Sequence, residues 1–336
     1  MIDTRELTRL SGQKAIVDRV SIQIEAGCVF GLVGPHGAGK TTFLRILATL
    51  LPPTHGDAVI GGASIRRHAD RVRRITGYLP ETDGVYADMT AAEYVRFFAA
   101  CYGVPASERN TLVDDLLALV DLAHCKDTLA GKLSRGMRRR LNLARTLVHD
   151  PSILLLDNPA AGLDPRARIE LRELIQELRS MGKTIVLTSR SLAEVQDLCT
   201  HLGIMADGRL LITGESADLC SGIEPHRTIA VKFFGDVESA VHHVRNRQGV
   251  IEAKTVPLLE NHSANTLDAS VNMMRALKEM HITFAGDYSD ASDLLRHLVR
   301  AGVQVVSFAE KDDELEKILG RFNLSTQAKS IEQSSV

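Results

Sequence analysis

Two short stretches carry residue types that could do chemistry. The first is GPHGAGKTT, residues 34–42. It fits the spacing GxxxxGK[ST] through Gly34, Gly39, Lys40 and Thr41, with a further glycine at Gly37. Glycines at this density let successive backbone N–H groups of the loop, which also holds Pro35, His36, Ala38 and Thr42, turn inward around phosphate oxygens. A helix starting there would present its N-terminus to the same charge. Lys40 would then reach the β- and γ-phosphates of a nucleotide, and the Thr41 hydroxyl would face Mg2+. The second stretch is ILLLDNPAAGLDP, residues 153–165. Four apolar residues lead into Asp157 and Asn158, which places both at the end of a buried strand, where parallel sheets keep their ligands. An acid there can hold Mg2+ through water. Asn158 can orient a water but cannot take its proton. Alone, Asp157 reads equally well as a buried structural acid; with the phosphate loop upstream it completes a nucleotide site.

The elements around these stretches have the periodicities such a site needs. AIVDRVSIQIEAG and the N-terminal residues alternate as edge strands do. CVFGLVG is a buried strand running into the phosphate loop, and FLRILATLL after it is a helix stopped by Pro52 and Pro53. Residues 90–102 predict a helix with Thr90 and Glu93 as a capping box and Tyr94, Phe97, Phe98, Cys101 and Tyr102 on one face, expected to be core. A second helix is expected near 109–122 and another over 166–181. TIVLTS (184–189) is a buried strand, with Ser191 and Glu194 capping a helix after it. Buried strands alternating with helices specify a parallel α/β sheet. Near residue 222 the texture changes, and SGIEPHR reads as a linker. RTIAVKFFGD and HITFAGD then each end in Gly-Asp before a helix, a faint internal repeat. VQVVSFAE and ELEKILGRF complete a small α+β domain over 223–324, and residues 325–336 are expected to be a disordered tail.

Composition bounds the function. The chain has 336 residues, 44% hydrophobic and 24% charged, with net charge −2. That is an ordinary globular mix, with room for two domains. A balance so near neutral gives no support to nucleic acid as a partner. Cys28, Cys101, Cys125, Cys199 and Cys220 form no CxxC pair, which argues for a reducing compartment and against a zinc site. No apolar run approaches the ~18 residues of a membrane span, and MIDTRELTRL is too charged for a signal peptide. The expectation is a cytoplasmic protein whose membrane span, if it serves one, belongs to another chain. The arginines of SIRRHADRVRR and MRRRL lack interleaved aromatics and read as solvated faces or phosphate and subunit contacts. Adjacent His242 and His243 do not share a helix face, so they make a poor metal site.

LSRGMRRRLNLARTLVHDPSILLLDNPAAGLDP (133–165) resembles the block of ABC-type ATPases that runs from the signature motif to the acid-ended strand. LSGGQ of that family stands here as Leu133-Ser134-Arg135-Gly136-Met137. GYLPETDGVYADMTAAEYVRFFAACYGV and the appended C-terminal domain resemble the subset serving ABC-2-type exporters. The resemblance covers residues 1–222. It implies an α/β fold with a RecA-like P-loop NTPase core, an antiparallel β edge and a helical insert over about 82–145. It also implies ATP and Mg2+ as ligands, and a second ATP-binding subunit as partner in a homodimer or mixed dimer. A membrane-spanning permease would hold the chain at the inner face of the membrane, docked on the helical insert that carries the aromatic stripe. Ser134 and Gly136 would touch the partner's ATP, and Asp164 would cross between the two sites.

The sequence also departs from that family's pattern. Ser11 stands where an aromatic usually stacks on adenine. Glu81 replaces the Gln that senses Mg2+ and the permease, an exchange that close relatives tolerate. Asn158 replaces the catalytic Glu, and Arg190 replaces the switch His. Loss of both points to a site that binds ATP and turns it over slowly. Two other readings stay open: an ATP-sensing regulatory subunit, and a non-transport ABC ATPase acting on DNA or the ribosome. The second usually carries a coiled coil or tandem ATPase units, and neither appears here.

Overall fold

The computed structural model describes residues 1–82, 84–221, 227–245, 247, 249–256 and 277–311. The chain divides into two compact units, Met1–Gly222 and Ile223–Val336. The expected linker SGIEPHR falls largely outside the described residues, and the ELEKILGRF helix and the C-terminal tail fall wholly outside them.

The first unit opens with β1 (Ile2–Ser11) and β2 (Lys14–Ile24), an antiparallel hairpin turning at Gly12. β3 (Val29–Val33) is buried at every residue, and the phosphate loop leads from it into α1 (Lys40–Leu47). β4 (His55–Ile60) and β5 (Ala63–Ser64) extend the hairpin into a sheet of order β2-β1-β4-β5. α2 (Ala69–Ile75) and β6 (Thr76–Leu79) follow. Three helices come next, α3 (Ala91–Cys101), α4 (Arg109–Leu119) and α5 (Arg135–Leu147). The chain returns to the sheet with β7 (Ile153–Leu156), α6 (Pro165–Ser180), β8 (Thr184–Ser189), β9 (His201–Ala206), β10 (Arg209–Glu215) and α7 (Ser216–Ser221). The order β10-β9-β3-β8-β7-β6 is parallel except for β10 at the edge. This is the RecA-like α/β core with an antiparallel edge. Parallel strands buried on both faces must be apolar throughout, as VFGLV and ILLL are.

α1 is the keystone of the core. Phe43, Leu44, Ile46 and Leu47 share one cluster with Ile2, Leu7 and Ile60 of the antiparallel sheet and Phe30, Ile153 and Val186 of the parallel one. The helix that begins at the phosphate loop is therefore fixed from two sides.

Two expectations fail here. The aromatic stripe of α3 is not core. The helix buries Ala91, Ala92, Val95 and Ala99 with Tyr94, while Phe97, Cys101 and Tyr102 are exposed. Ala91, Val95 and Ala99, at i, i+4 and i+8, form the buried seam of this helix. The rings are left to pack on each other: Tyr86 meets Tyr94, Phe97 and Phe98, and the Arg145 guanidinium lies over Phe98. The Thr90–Glu93 capping box does form. The second failure is the helix after β8, where residues 191–200 form turns. Glu194 accepts a hydrogen bond from Ser189 Oγ at 2.7 Å, and Ser189 Oγ in turn accepts from the Ser191 N–H.

The second unit runs β11 (Arg227–Phe234), α8 (Val237–Arg245), β12 (Val250–Val256), β13 (Leu277–Phe284), α9 (Tyr288–Arg300) and β14 (Gln304–Lys311). Its sheet order β12-β13-β11-β14, antiparallel throughout, is the split βαβ arrangement of ferredoxin-like domains. The faint repeat marks its two βαβ halves. In each, the Asp of Gly-Asp caps the helix: Asp236 accepts from the Ser239 N–H, and Asp287 from the Ser289 and Asp290 N–H groups. Alternate residues Met280, Ile282 and Phe284 of β13 pack with Leu294 and Leu298 of α9.

Leu44 is fully buried between the two sheets. Leu44→Ala should lower unfolding stability by about 2–5 kcal/mol, read as a shift of the urea midpoint at unchanged slope.

Candidate functional site

The strand-to-helix turn after β3 is held tightly by its surroundings. A Cβ on Gly34 would sit 2.1 Å from the Met205 carbonyl oxygen, and one on Gly39 2.3 Å from that of Ile16, with φ of Gly39 at +101°. Only glycine fits either place. Lys40 is buried, and its ammonium donates to the carbonyl oxygens of Gly34 (2.6 Å) and Pro35 (2.9 Å). Burial pushes its pKa down to about 8; Arg190 acts in the same direction, while Asp157 and Glu81 oppose it.

A cleft of about 370 Å³ opens here, lined by Lys14, Ile16, the loop from His36 to Thr42, Glu81, Asp157, Asn158, Thr188 and Arg190. The structure thus gathers into one space residues that lie far apart in the chain. Asp157, 1% exposed, follows β7 directly. Its Oδ1 accepts from Thr41 Oγ1 (3.1 Å) and Thr188 Oγ1 (2.9 Å), and its Oδ2 from the Tyr78 hydroxyl (3.4 Å). Thr188 Oγ1 also accepts from the Asn158 N–H at 2.8 Å, so one hydroxyl fixes both members of the Asp157-Asn158 pair. The Thr41 hydroxyl and the Asp157 carboxylate are hard oxygen donors side by side, the chemistry that suits Mg2+ beside a phosphate.

The remaining polar groups form a second cluster. Glu81 Oε1 accepts from Asn158 Nδ2 at 2.8 Å and from an Arg190 guanidinium nitrogen at 2.7 Å. Asn158 and Arg190 are thus joined to Glu81 through one carboxylate oxygen. These two bonds hold the Glu81 carboxylate on the Asn158 side of the cleft.

One residue that sequence reasoning misread holds the frame together. Arg139 of α5, in MRRRL, is 2% exposed, not solvated. Its guanidinium donates to the carbonyl oxygens of Pro80, Glu81, Asp157, Asn158 and Pro159. A guanidinium, with five donors in a rigid plane, suits such a task. The available signal was helical position: Arg139 shares the buried stripe of α5 with Asn142, Leu143 and Thr146. Arg140 is half-buried and pairs with Asp121 and Glu170. Lys14, Ile16 and Thr188 were also missed, since nothing in their local sequence separates cleft-lining from ordinary strand positions.

Ser134, Gly136 and Asp164 do not line this cleft. Ser134 is exposed and caps α5 by accepting from the Met137 N–H (3.2 Å); Asp164 is exposed and caps α6 by accepting from the Ala167 N–H (2.9 Å). Arg135 lies against Gly162: a Cβ there would sit 2.1 Å from its guanidinium. Ser11, at the end of β1, is exposed and likewise outside the cleft lining.

Comparison with known proteins agrees with this geometry. The sequence profile of the family described as "ABC transporter" matches residues 17–161. The chain is 36% identical over 219 residues to the Nod factor export ATP-binding protein I of Cupriavidus metallidurans, covering 65% of this chain and 72% of that one. It is 30% identical over 246 residues to the linearmycin resistance ATP-binding protein LnrL of Bacillus subtilis, covering 73% and 79%. Among solved structures it resembles cbiO1 from Clostridium perfringens, part of the ABC transporter complex cbiONQ, with TM-score 0.61 and 25% identity over 66% of this chain and 90% of that one.

Two expected outcomes follow from the site. Arg139→Lys leaves buried carbonyl groups without donors and should cost about 3 kcal/mol or more in denaturant unfolding. The second concerns pH. Lys40 titrates near 8 when its acceptors are neutral carbonyls, and bound phosphates must raise that value. Binding therefore takes up a proton wherever the free lysine is neutral. MgATP affinity should be level below pH 8 and fall as pH rises through 8 to 9, toward tenfold per unit. Calorimetry across pH 7–9.5 should show this slope in the wild type and its loss in Lys40→Ala.

Proposed function

The chain belongs to the ABC transporter family of ATP-binding proteins, and from that premise we propose that it is the ATP-binding subunit of an ABC-2-type exporter. The observation that carries this reading is the convergence of Lys40, Thr41 and Asp157 on one cleft at the ends of parallel strands. ATP lies with its phosphates on residues 34–42 and its charge met by Lys40, and Thr41 with Asp157 holds Mg2+, which supplies charge neutralisation at the β- and γ-phosphates. Asn158, Arg190 and Glu81 face the γ-phosphate end.

Ser134 and Asp164 are exposed, Gly136 is half-buried, and all three lie outside this chain's own cleft, which supports their use at the ATP of a second subunit. ATP then closes the pair, as a homodimer or with a different partner chain. The relatives' names speak of export and of resistance, which supports an outward direction of transport. No helix among the described residues is long and apolar enough to cross a membrane. A separate permease supplies the span and keeps this chain at the inner face of the membrane. The exposed rings of Tyr86 and Phe97 supply the dock on the helical insert. Residues 223–324 serve as an accessory domain acting on the dimer or the permease.

Turnover at this chain's own site is slow. Catalysis of phosphoryl transfer is mostly positioning and charge, and these survive in Lys40 and Arg190. A positioned base adds about 10²- to 10⁴-fold, and the amide of Asn158 cannot be one. The purified chain should dimerise with MgATP by light scattering, remain dimeric for many minutes, and release phosphate slowly. Lys40→Ala should abolish dimerisation. ATP-independent dimers would refute the closure step. In cell fractionation, the full chain should sediment with membranes, and Tyr86→Ala/Phe97→Ala should release it while keeping ATP affinity. Retention of the double variant on membranes would place the dock elsewhere.

A further inference from the structure

The cleft contains two carboxylates among its described lining residues, Asp157 and Glu81. They are placed very differently. Asp157 is 1% exposed, and both of its oxygens accept hydrogen bonds from the hydroxyls of Thr41, Thr188 and Tyr78. It is spent on its neighbours and on the metal position, and it cannot swing toward a water. The side chain of Glu81 is 36% exposed. Both its contacts, with Asn158 Nδ2 and Arg190, fall on Oε1. Among the described residues nothing donates to its other oxygen.

We propose that Glu81 is the carboxylate that activates the attacking water at this site, replacing the acid absent from position 158. The proposal deepens the nucleotide reading of the cleft and rests on it. Three observations support it. The Glu81 carboxylate lies 2.8 Å from the Asn158 amide, so the negative charge stands within one hydrogen bond of the position that lacks it. Arg190 and Asn158 hold the carboxylate by the same oxygen, which fixes its direction and leaves Oε2 for a water. Glu81 also lines the same cleft as Lys40 and the phosphate loop. In the step itself, the water oxygen bonds to the γ-phosphorus. The bond from that phosphorus to the β–γ bridging oxygen breaks, and its electron pair leaves with ADP. The water's proton passes to Glu81 Oε2 and then to the released phosphate or to solvent. Asn158 and Arg190 are positioning residues in this scheme, since they act through the carboxylate they hold.

The test compares wild type, Glu81→Gln, Glu81→Gln/Asn158→Glu and Lys40→Ala in the full chain. MgATP affinity is measured by calorimetry and steady-state phosphate release in parallel. Gln keeps the shape of Glu81 and an oxygen for Asn158 and Arg190 while removing the proton acceptor. Glu81→Gln should lose about 10²-fold or more of the wild-type rate with ATP affinity changed less than about threefold. Adding Asn158→Glu should bring the rate back, because the carboxylate is then restored a hydrogen bond away; a variant damaged in its fold would not recover. A wild-type rate in Glu81→Gln, a double variant as slow as Glu81→Gln, or a wild type no faster than Lys40→Ala would each overturn the proposal. Loss of ATP binding in the wild type, seen by calorimetry before any rate is taken, would instead remove the nucleotide reading beneath it.

Discussion

The carbonyl oxygens of Pro80, Glu81, Asp157, Asn158 and Pro159 all converge on the guanidinium of Arg139. Chain segments leaving the ends of β6 and β7 would otherwise hold unpaired polar groups in a buried place, at a cost of about 1–3 kcal/mol each. A buried cation is itself expensive unless it is fully hydrogen-bonded. Here each defect cancels the other: the dipoles solvate the cation, and the cation satisfies the dipoles. The result is a fixed spacing between Glu81 and Asn158, which no contact between those two side chains could set alone. α5, which carries Arg139, begins at Ser134. The same rigid helix therefore links the frame of this chain's cleft to the exposed motif at its own N-terminus.

Within that frame the charges of the cleft form a consistent set. Lys40 and Arg190 are cations, and Asp157 and Glu81 are acids. An acid at position 158 beside Glu81 would place two like charges within hydrogen-bond distance, which would push one of them toward its neutral form. Asn158 avoids this by donating to Glu81, and Arg190 neutralises the same oxygen. Glu81, Asn158 and Arg190, which read as unrelated positions in the sequence, form one hydrogen-bond network in space.

Much of this was legible from the chain. The phosphate loop announces itself because its glycines are forced by close backbone approach at Gly34 and Gly39. Strands β3, β7 and β8 announce themselves because full burial permits only apolar residues. The repeat in the second unit was visible because Gly-Asp caps a helix in both halves. What escaped notice depends on long-range partners. Arg139 looks like any surface arginine until β6 and β7 are brought beneath it. The rings of α3 looked like a core stripe because periodicity fixes which residues share a face, not which face the alanines turn inward. Residues 191–200 carried a capping pattern, yet Ser189 competes for Glu194 and the chain turns instead.

The contact between Arg135 and Gly162 carries a consequence for descent. Gly162 sits at φ +66°, where any side chain is strained whatever its neighbours, whereas the guanidinium beside it is the far end of a flexible side chain. The backbone therefore demands glycine at 162 on its own account. A change at 135 neither lifts that demand nor depends on it, so the two positions can drift separately even though they touch.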